Sequence, residues 1–190
     1  MKKGLMCGVG ITDIKVSSNG VYLKSYLVWQ RMIIRCYSGK YKNYTDCSVS
    51  DDWLTFSNFK NDVESMIGFD ECGWHLDKDL ISKGNRVYSK DMCCFLPKEI
   101  NVFLTYRKSK HSDYPIGVSF LESKSKFISQ IRTGNGGRKT LGLFNTSEEA
   151  FCSYKEFKEK LSKDLAFKWD GLIDDRARDS LLSFTVNIED

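Results

Sequence analysis

Between residues 26 and 37 apolar side chains recur with a helical period. Tyr26, Trp29, Met32, Ile33, Cys36 and Tyr37 lie three and four residues apart, which stacks them on one face. An Asn19-Gly20 turn signal precedes this helix and Gly39 marks its stop. A second helix is expected from about Thr55 to Ile67, with Phe56, Phe59, Val63, Met66 and Ile67 along one side and Gly68 following. At this spacing the aromatic stripes read as core rather than as a cofactor box. The intervening "YTDCSVSDDW" is polar and turn-rich. "LDKDLISKGNRVYSKDMCCFLP", Leu76 to Pro97, predicts a strand, a tight Gly-Asn turn and a short helix, with Asp77 and Asp79 on the strand.

The pattern then changes. "KEINVFLTYRKSKHSDYP" ends in a basic, polar run and Pro115, placing a boundary near residue 110. "IGVSF", "KFISQIR" and "KTLGLF" are β-like runs separated by polar or glycine-rich turns, "TGNGGR" among them. "NTSEEAFCSYKEFKEKLSKD" opens with a capping box, Thr146 with Glu149, and continues with Phe151, Tyr154, Phe157 and Leu161 at helical intervals. Three antiparallel strands with one helix across the back are expected. The two-residue period divides the second strand, with Phe127, Ser129 and Ile131 facing the helix. Lys126, Ile128, Gln130 and Arg132 face outward. The acidic tail reads as packing structure, with a short helix around Asp174–Leu182 and a last strand-like run. The fold class is therefore α+β. Residues 1–110 form a helical and ββα-like part, 111–165 a three-stranded sheet on one helix, and 166–190 a C-terminal packing segment.

Composition narrows the class. With 41% hydrophobic and 13% aromatic residues the chain supports a packed core. No apolar run reaches the roughly 18 residues of a membrane span. "MKKGLMCGVGITD" lacks the apolar stretch of a secretory signal, so a cytoplasmic protein is expected. Seven cysteines without a C-x-x-C pair, and only two histidines, do not make a zinc framework. They read as reduced, mostly buried thiols. Net charge is only +4, but residues 101–140 carry a net +6 and the remainder −2. Such concentration of positive charge is the footprint of a polyanion partner.

"VWQRMIIRCY", "CSVSDDWLTFSNF", "LDKDLISKGNRVYSKDMCCFLP" and "YPIGVSF…KFISQI…LGLFNTSEEAFCSYKE" together resemble phage-borne HNH homing endonucleases that carry an APETALA-type, ethylene-response-factor-like DNA-binding domain. The resemblance covers nearly the whole chain and is most specific in its second part. It implies a sheet lying in the DNA major groove, preceded by a ββα-metal site. It also implies a phage or mobile-element origin and work at the nucleoid of a bacterial host.

In such a site a base deprotonates water and a cation neutralises charge on the phosphate, with hard oxygen ligands suiting Mg²⁺ or Mn²⁺. Carried over residue by residue, the resemblance gives Asp77 as a metal ligand and Asn85 as the asparagine that orients the loop. Lys78 stands in the slot of the catalytic histidine, and Met92 where the last ligand belongs. A thioether is a poor ligand for a hard cation. Lysine acts as a base only if burial lowers its pKa by roughly three units. Beside Asp77 and Asp79 its ammonium is instead stabilised, and it repels a metal. One rescue places His75, Asp77 and Asp79 on one strand face, His75 as base and the aspartates as ligands.

The expected function is sequence-specific binding of double-stranded DNA by a protein of homing-endonuclease descent that has lost cleavage and acts as a transcriptional repressor, without a cofactor. The alternative is an active HNH endonuclease using Mg²⁺ or Mn²⁺ with His75 or Lys78 as base. A blander reading is an interaction module whose basic sheet meets an acidic protein. Expected base contacts are Lys126, Gln130 and Arg132, with Ser119, Arg138 and Lys139 nearby and Lys124 in a basic turn. Arg107, Lys108 and Lys110 are expected phosphate contacts. A homodimer on a palindromic site would suit an operator binder, although no heptad or apolar edge signals one.

Overall fold

The computed structural model describes residues 5–104, 113–132 and 137–190. The chain divides into two compact units, Met1–Pro97 with Leu172–Ala177, and Lys98–Gly171 with Arg178–Asp190. The division thus falls at Pro97, ahead of residue 110, and the tail is shared rather than forming a separate segment. The structure is α+β, with five helices and several small sheets among the described residues. No helix there is long and apolar enough to cross a membrane.

In the first unit, β1 (Ser17–Ser18) and β2 (Val21–Tyr22) form a hairpin across Asn19 and Gly20. Both turn residues have positive φ, 50° and 79°, the geometry for which an Asn-Gly pair is suited. Helix α1 (Lys24–Tyr37) buries Tyr26, Trp29, Met32 and Ile33, the expected stripe, and the chain leaves it through Gly39 at φ 70°. Helix α2 (Phe56–Val63) buries Phe56, Phe59 and Val63. It stops four residues short of the expected Ile67, which is 54% exposed. Tight turns replace the last helical turn and carry Phe69 into the core, edge-on to Phe95 at 5.6 Å. The indole N–H of Trp29 donates to the Trp53 carbonyl at 2.7 Å, and that of Trp53 to Asp62 at 2.9 Å, so neither buried donor is orphaned.

The polar linking stretch is more ordered than its composition suggests. Within it β3 (Ser48–Val49) pairs in parallel with β5 (Val87–Tyr88), and a single 3-10 turn, Asp51–Leu54, inserts Trp53 into the core. The segment Leu76–Pro97 also departs from expectation. Strand β4 (His75–Asp77) pairs antiparallel with β6 (Cys94–Leu96), and the short helix expected within the segment does not form. Cys93 through Leu96 are all at most 2% exposed. A short, wholly buried apolar run bounded by proline suits a strand, which ladders its backbone groups with a neighbour. Helix α3 (Lys98–Leu104) begins only after Pro97.

The second unit follows the predicted pattern closely. Strands β7 (Val118–Leu121), β8 (Lys126–Arg132) and β9 (Arg138–Phe144) form an antiparallel sheet in the order β7–β8–β9. Helix α4 (Ser147–Lys168) crosses one face. Its capping box is formed as expected, Glu149 N–H donating to Thr146 Oγ1 and Thr146 N–H to the Glu149 carboxylate. Ile116, Val118, Ile131, Ala150, Phe151 and Tyr154 make the core. Helix α5 (Asp175–Leu182) lies where expected, but no strand follows it. The tail is instead held by α4 side chains: the Val186 N–H donates to Glu159 and Lys155 donates to the Val186 carbonyl. Val186 is thereby buried, its backbone groups spent on α4 rather than on the sheet edge.

All seven cysteines are free. Cys47, Cys93 and Cys94 are buried, Cys36 is intermediate and Cys7, Cys72 and Cys152 are exposed, so "mostly buried" overstates the case. Burial pushes the Cys93 thiol up to about 12 and the Cys36 thiol up to about 11.

Two features of the second unit have measurable consequences. Gly117 has φ +81°, and a Cβ there would lie 2.2 Å from the Tyr154 ring. Gly117→Ala combines left-handed strain with overpacking, and a loss of about 3 kcal/mol is expected in urea unfolding. Lys158, 5% exposed, donates to the Phe103 carbonyl at 2.5 Å, and burial pushes its ammonium down to about 8. Between that value and the roughly 10.4 of an unfolded lysine, the unfolded chain holds the proton and the folded chain does not. Stability therefore rises with pH across this window, by about 3 kcal/mol. Melts from pH 7.5 to 10.5 should show wild type gaining on Lys158→Met by that amount.

Candidate nucleic-acid interface

The loop between β4 and β6 holds the residues expected to be catalytic. Asp77 ends β4, and its Oδ2 accepts the backbone N–H groups of Asp79 at 2.9 Å and Leu80 at 2.8 Å, closing a turn. Burial raises its pKa against the opposing pull of these bonds. Lys78 is 4% exposed, and its ammonium donates to the Asp79 carboxylate and, at 3.1 Å, to the Asn85 carbonyl. It also lies 5.8 Å from the Tyr88 ring centroid. Asn85 ties the loop, its amide donating to the carbonyls of Lys78 and Val87 at 2.9 and 2.8 Å while its Oδ1 accepts the Val87 N–H.

These contacts bear on the expected chemistry. The alternation that would put His75, Asp77 and Asp79 on one strand face breaks, because β4 ends at Asp77 and the chain turns there. His75 is exposed, opposite Leu96. The Asp79 carboxylate is engaged by Lys78. Met92 lies in a turn, 37% exposed. Among the described residues no three His, Cys, Asp or Glu side chains gather as a metal would require. Asn85, expected to orient the loop, does form the loop's hydrogen-bonded tie. A separate open cleft of about 550 Å³ lies beside Asp52, Asn58, Asn61, Asp62 and Lys90. Burial opposes charge on Asp62, but bonds from Lys90 and Trp53 hold its pKa below the usual range.

The sheet displays the other expected residues. Register pairs Leu121 with Lys126, Ser119 with Ile128, Ile128 with Leu143, Gln130 with Thr140 and Arg132 with Arg138. Directly opposite residues share a face. Successive rungs of the face away from α4 are therefore Leu121–Lys126, Ser119–Ile128–Leu143, Gln130–Thr140 and Arg132–Arg138. Gln130 donates to Thr140 Oγ1 at 3.2 Å, which fixes that rung. The opposite set, Val118, Ser129 and Ile131, is buried. A bulge between Ser129 and Gln130 shifts the β9 register, so Leu141 is skipped in the pairing.

The expected cations separate by parity. Arg132 and Arg138 are exposed, and among the described residues neither guanidinium has an acidic partner. Lys124 is exposed in the 3-10 turn Glu122–Lys124, and Lys126 donates to Asn145. Lys139 lies on the helix side instead, opposite Ile131, with its ammonium 4.6 Å from the Phe157 ring centroid. Lys139, expected near the base contacts with Arg138, is turned away from it because adjacent strand residues point opposite ways. Arg107, Lys108 and Lys110 lie outside the described residues.

Comparison with protein-family models, with curated proteins and with solved structures finds no match.

Removal of the Asn85 amide tests the loop. Asn85→Ala should cost about 1 kcal/mol in urea unfolding, the net worth of hydrogen bonds whose backbone partners are partly open to water. It should also speed hydrogen exchange at the Val87 amide.

Proposed function

We propose that the protein binds duplex DNA through the exposed face of the β7–β8–β9 sheet and occupies its site without cutting it. The observation that carries this reading is the Arg132–Arg138 rung. Like charges directly across a pair of strands destabilise a sheet, and here no acidic group among the described residues offsets them. A polyanion relieves that repulsion. Three strands about 4.8 Å apart span about 10 Å between their outer backbones, comparable with a major groove about 12 Å wide.

On this reading affinity comes mainly from phosphate neutralisation, and sequence choice from side chains that reach base edges. Arg132 and Arg138 suit the acceptor edge of guanine and Gln130 that of adenine. Lys124, off the face in a turn, suits phosphate. In the β4–β6 loop, lysine stands where a general base is needed and is bound to Asp79. With that lysine bound, and with no cluster of metal-ligating side chains among the described residues, the favoured outcome is a complex that persists as an obstacle on its site, the behaviour of a repressor.

The test is selection of bound DNA from a random pool, followed by titration of variants and incubation of the selected site with Mg²⁺ and Mn²⁺. Arg132→Ala and Gln130→Ala should weaken the selected site by about 1–3 kcal/mol each and random DNA much less. Lys124→Ala should weaken all sequences alike and reduce the salt slope by about one. Metal-dependent nicking abolished by Asp77→Ala would instead establish an active nuclease. Equal losses on all sequences from all three variants would remove the reading face from Arg132 and Gln130.

A further inference from the structure

We infer that the Ile128–Leu143 rung is a thymine-methyl subsite, the apolar component of the DNA-reading face. This inference rests on the DNA-binding reading above and adds the base that the face selects. Ile128 and Leu143 lie directly opposite each other in the middle of the face away from α4. Leu143 is 42% exposed although the inner face of the same sheet is buried beneath a helix. The rungs on either side carry polar or cationic side chains: Lys126 beside a half-buried Leu121 on one side, Gln130–Thr140 and then Arg132–Arg138 on the other. Two branched aliphatic side chains set among hydrogen-bonding and charged neighbours gain nothing from water. The cationic surround fits a polyanion that offers one apolar group at that level.

In the major groove that group is the C5-methyl of thymine, the apolar feature of its base edges. Spacing makes the inference specific. Same-face neighbours on a strand are about 6.6–6.8 Å apart, so Ile128 and Arg132 are separated by about 13 Å. A strand following the groove would therefore put the selected thymine about four base pairs from the arginine-contacted guanine, at roughly 3.4 Å per step. Gln130 lies between them.

The test uses the full-length protein and the selected duplex, with each thymine replaced singly by deoxyuridine, which removes only the methyl group. Affinity should fall about fourfold at one thymine, the effect of one buried methyl-sized group. That thymine should lie about four base pairs from the position relaxed by Arg132→Ala. In the variant Ile128→Ala/Leu143→Ala, checked for an unchanged unfolding transition, thymine and deoxyuridine duplexes should bind equally. The scan of wild-type protein needs no variant and stands if the double variant fails to fold. A selected site bound tightly but indifferent to every deoxyuridine overturns the methyl subsite and leaves DNA binding intact. A fourfold loss that persists in the double variant overturns its assignment to this rung. Dimerisation in the absence of DNA that the double variant abolishes would assign the rung to a second copy of the chain. Failure to select any DNA overturns the DNA-binding reading itself.

Discussion

Burial of Ser129 and Ile131 beneath α4 sets the chemistry of the whole second unit. A strand presents alternate residues to alternate faces, so fixing those two inward forces Ile128, Gln130 and Arg132 outward. The neighbouring strands inherit the choice through register: Ser119 follows Ile128, Thr140 follows Gln130, and Arg138 follows Arg132. A slip of one residue in β8 would turn Ile128, Gln130 and Arg132 under the helix and bring Ser129 and Ile131 to the outside. Tyr154, wholly buried, fills the space directly over Gly117 and helps hold the helix in the one position that permits this register.

The β4–β6 loop shows how the same residue types can serve structure instead of reaction. A buried ammonium is costly unless it is paired and hydrogen-bonded. Lys78 meets that requirement with Asp79, the Asn85 carbonyl and the Tyr88 ring. Asp77 is similarly engaged through one carboxylate oxygen, which accepts two backbone N–H groups and closes the turn after β4.

Much of the fold was legible because the patterns were long or chemically specific. The stripe from Tyr26 to Tyr37, the Asn19-Gly20 turn and the Thr146–Glu149 capping box each name a local geometry that few other conformations satisfy. The segment Leu76–Pro97 was less legible. Its buried run Cys93–Leu96 has no period that separates strand from helix, and its partners in β4 lie 17 to 21 residues earlier. The parallel pairing of β3 with β5 joins residues 39 apart, which no local signal announces. Of the expected reading-face residues, Gln130 and Arg132 were placed by the alternation of β8. Lys139 falls on the helix side because it and Arg138 are adjacent on β9 and so point opposite ways.

By itself the sequence determined the three strands of the second unit's sheet, helix α4 across it, and which face of β8 is polar, since these follow from period and capping within a few residues. Tertiary structure alone decided that Ile128 and Leu143 share a rung. It also decided that Arg132 faces Arg138, that Lys158 is buried and that the Lys78 ammonium is bound. Each of those depends on bringing together groups distant in the chain, where register, burial and the desolvation of charge act and local propensity has no influence.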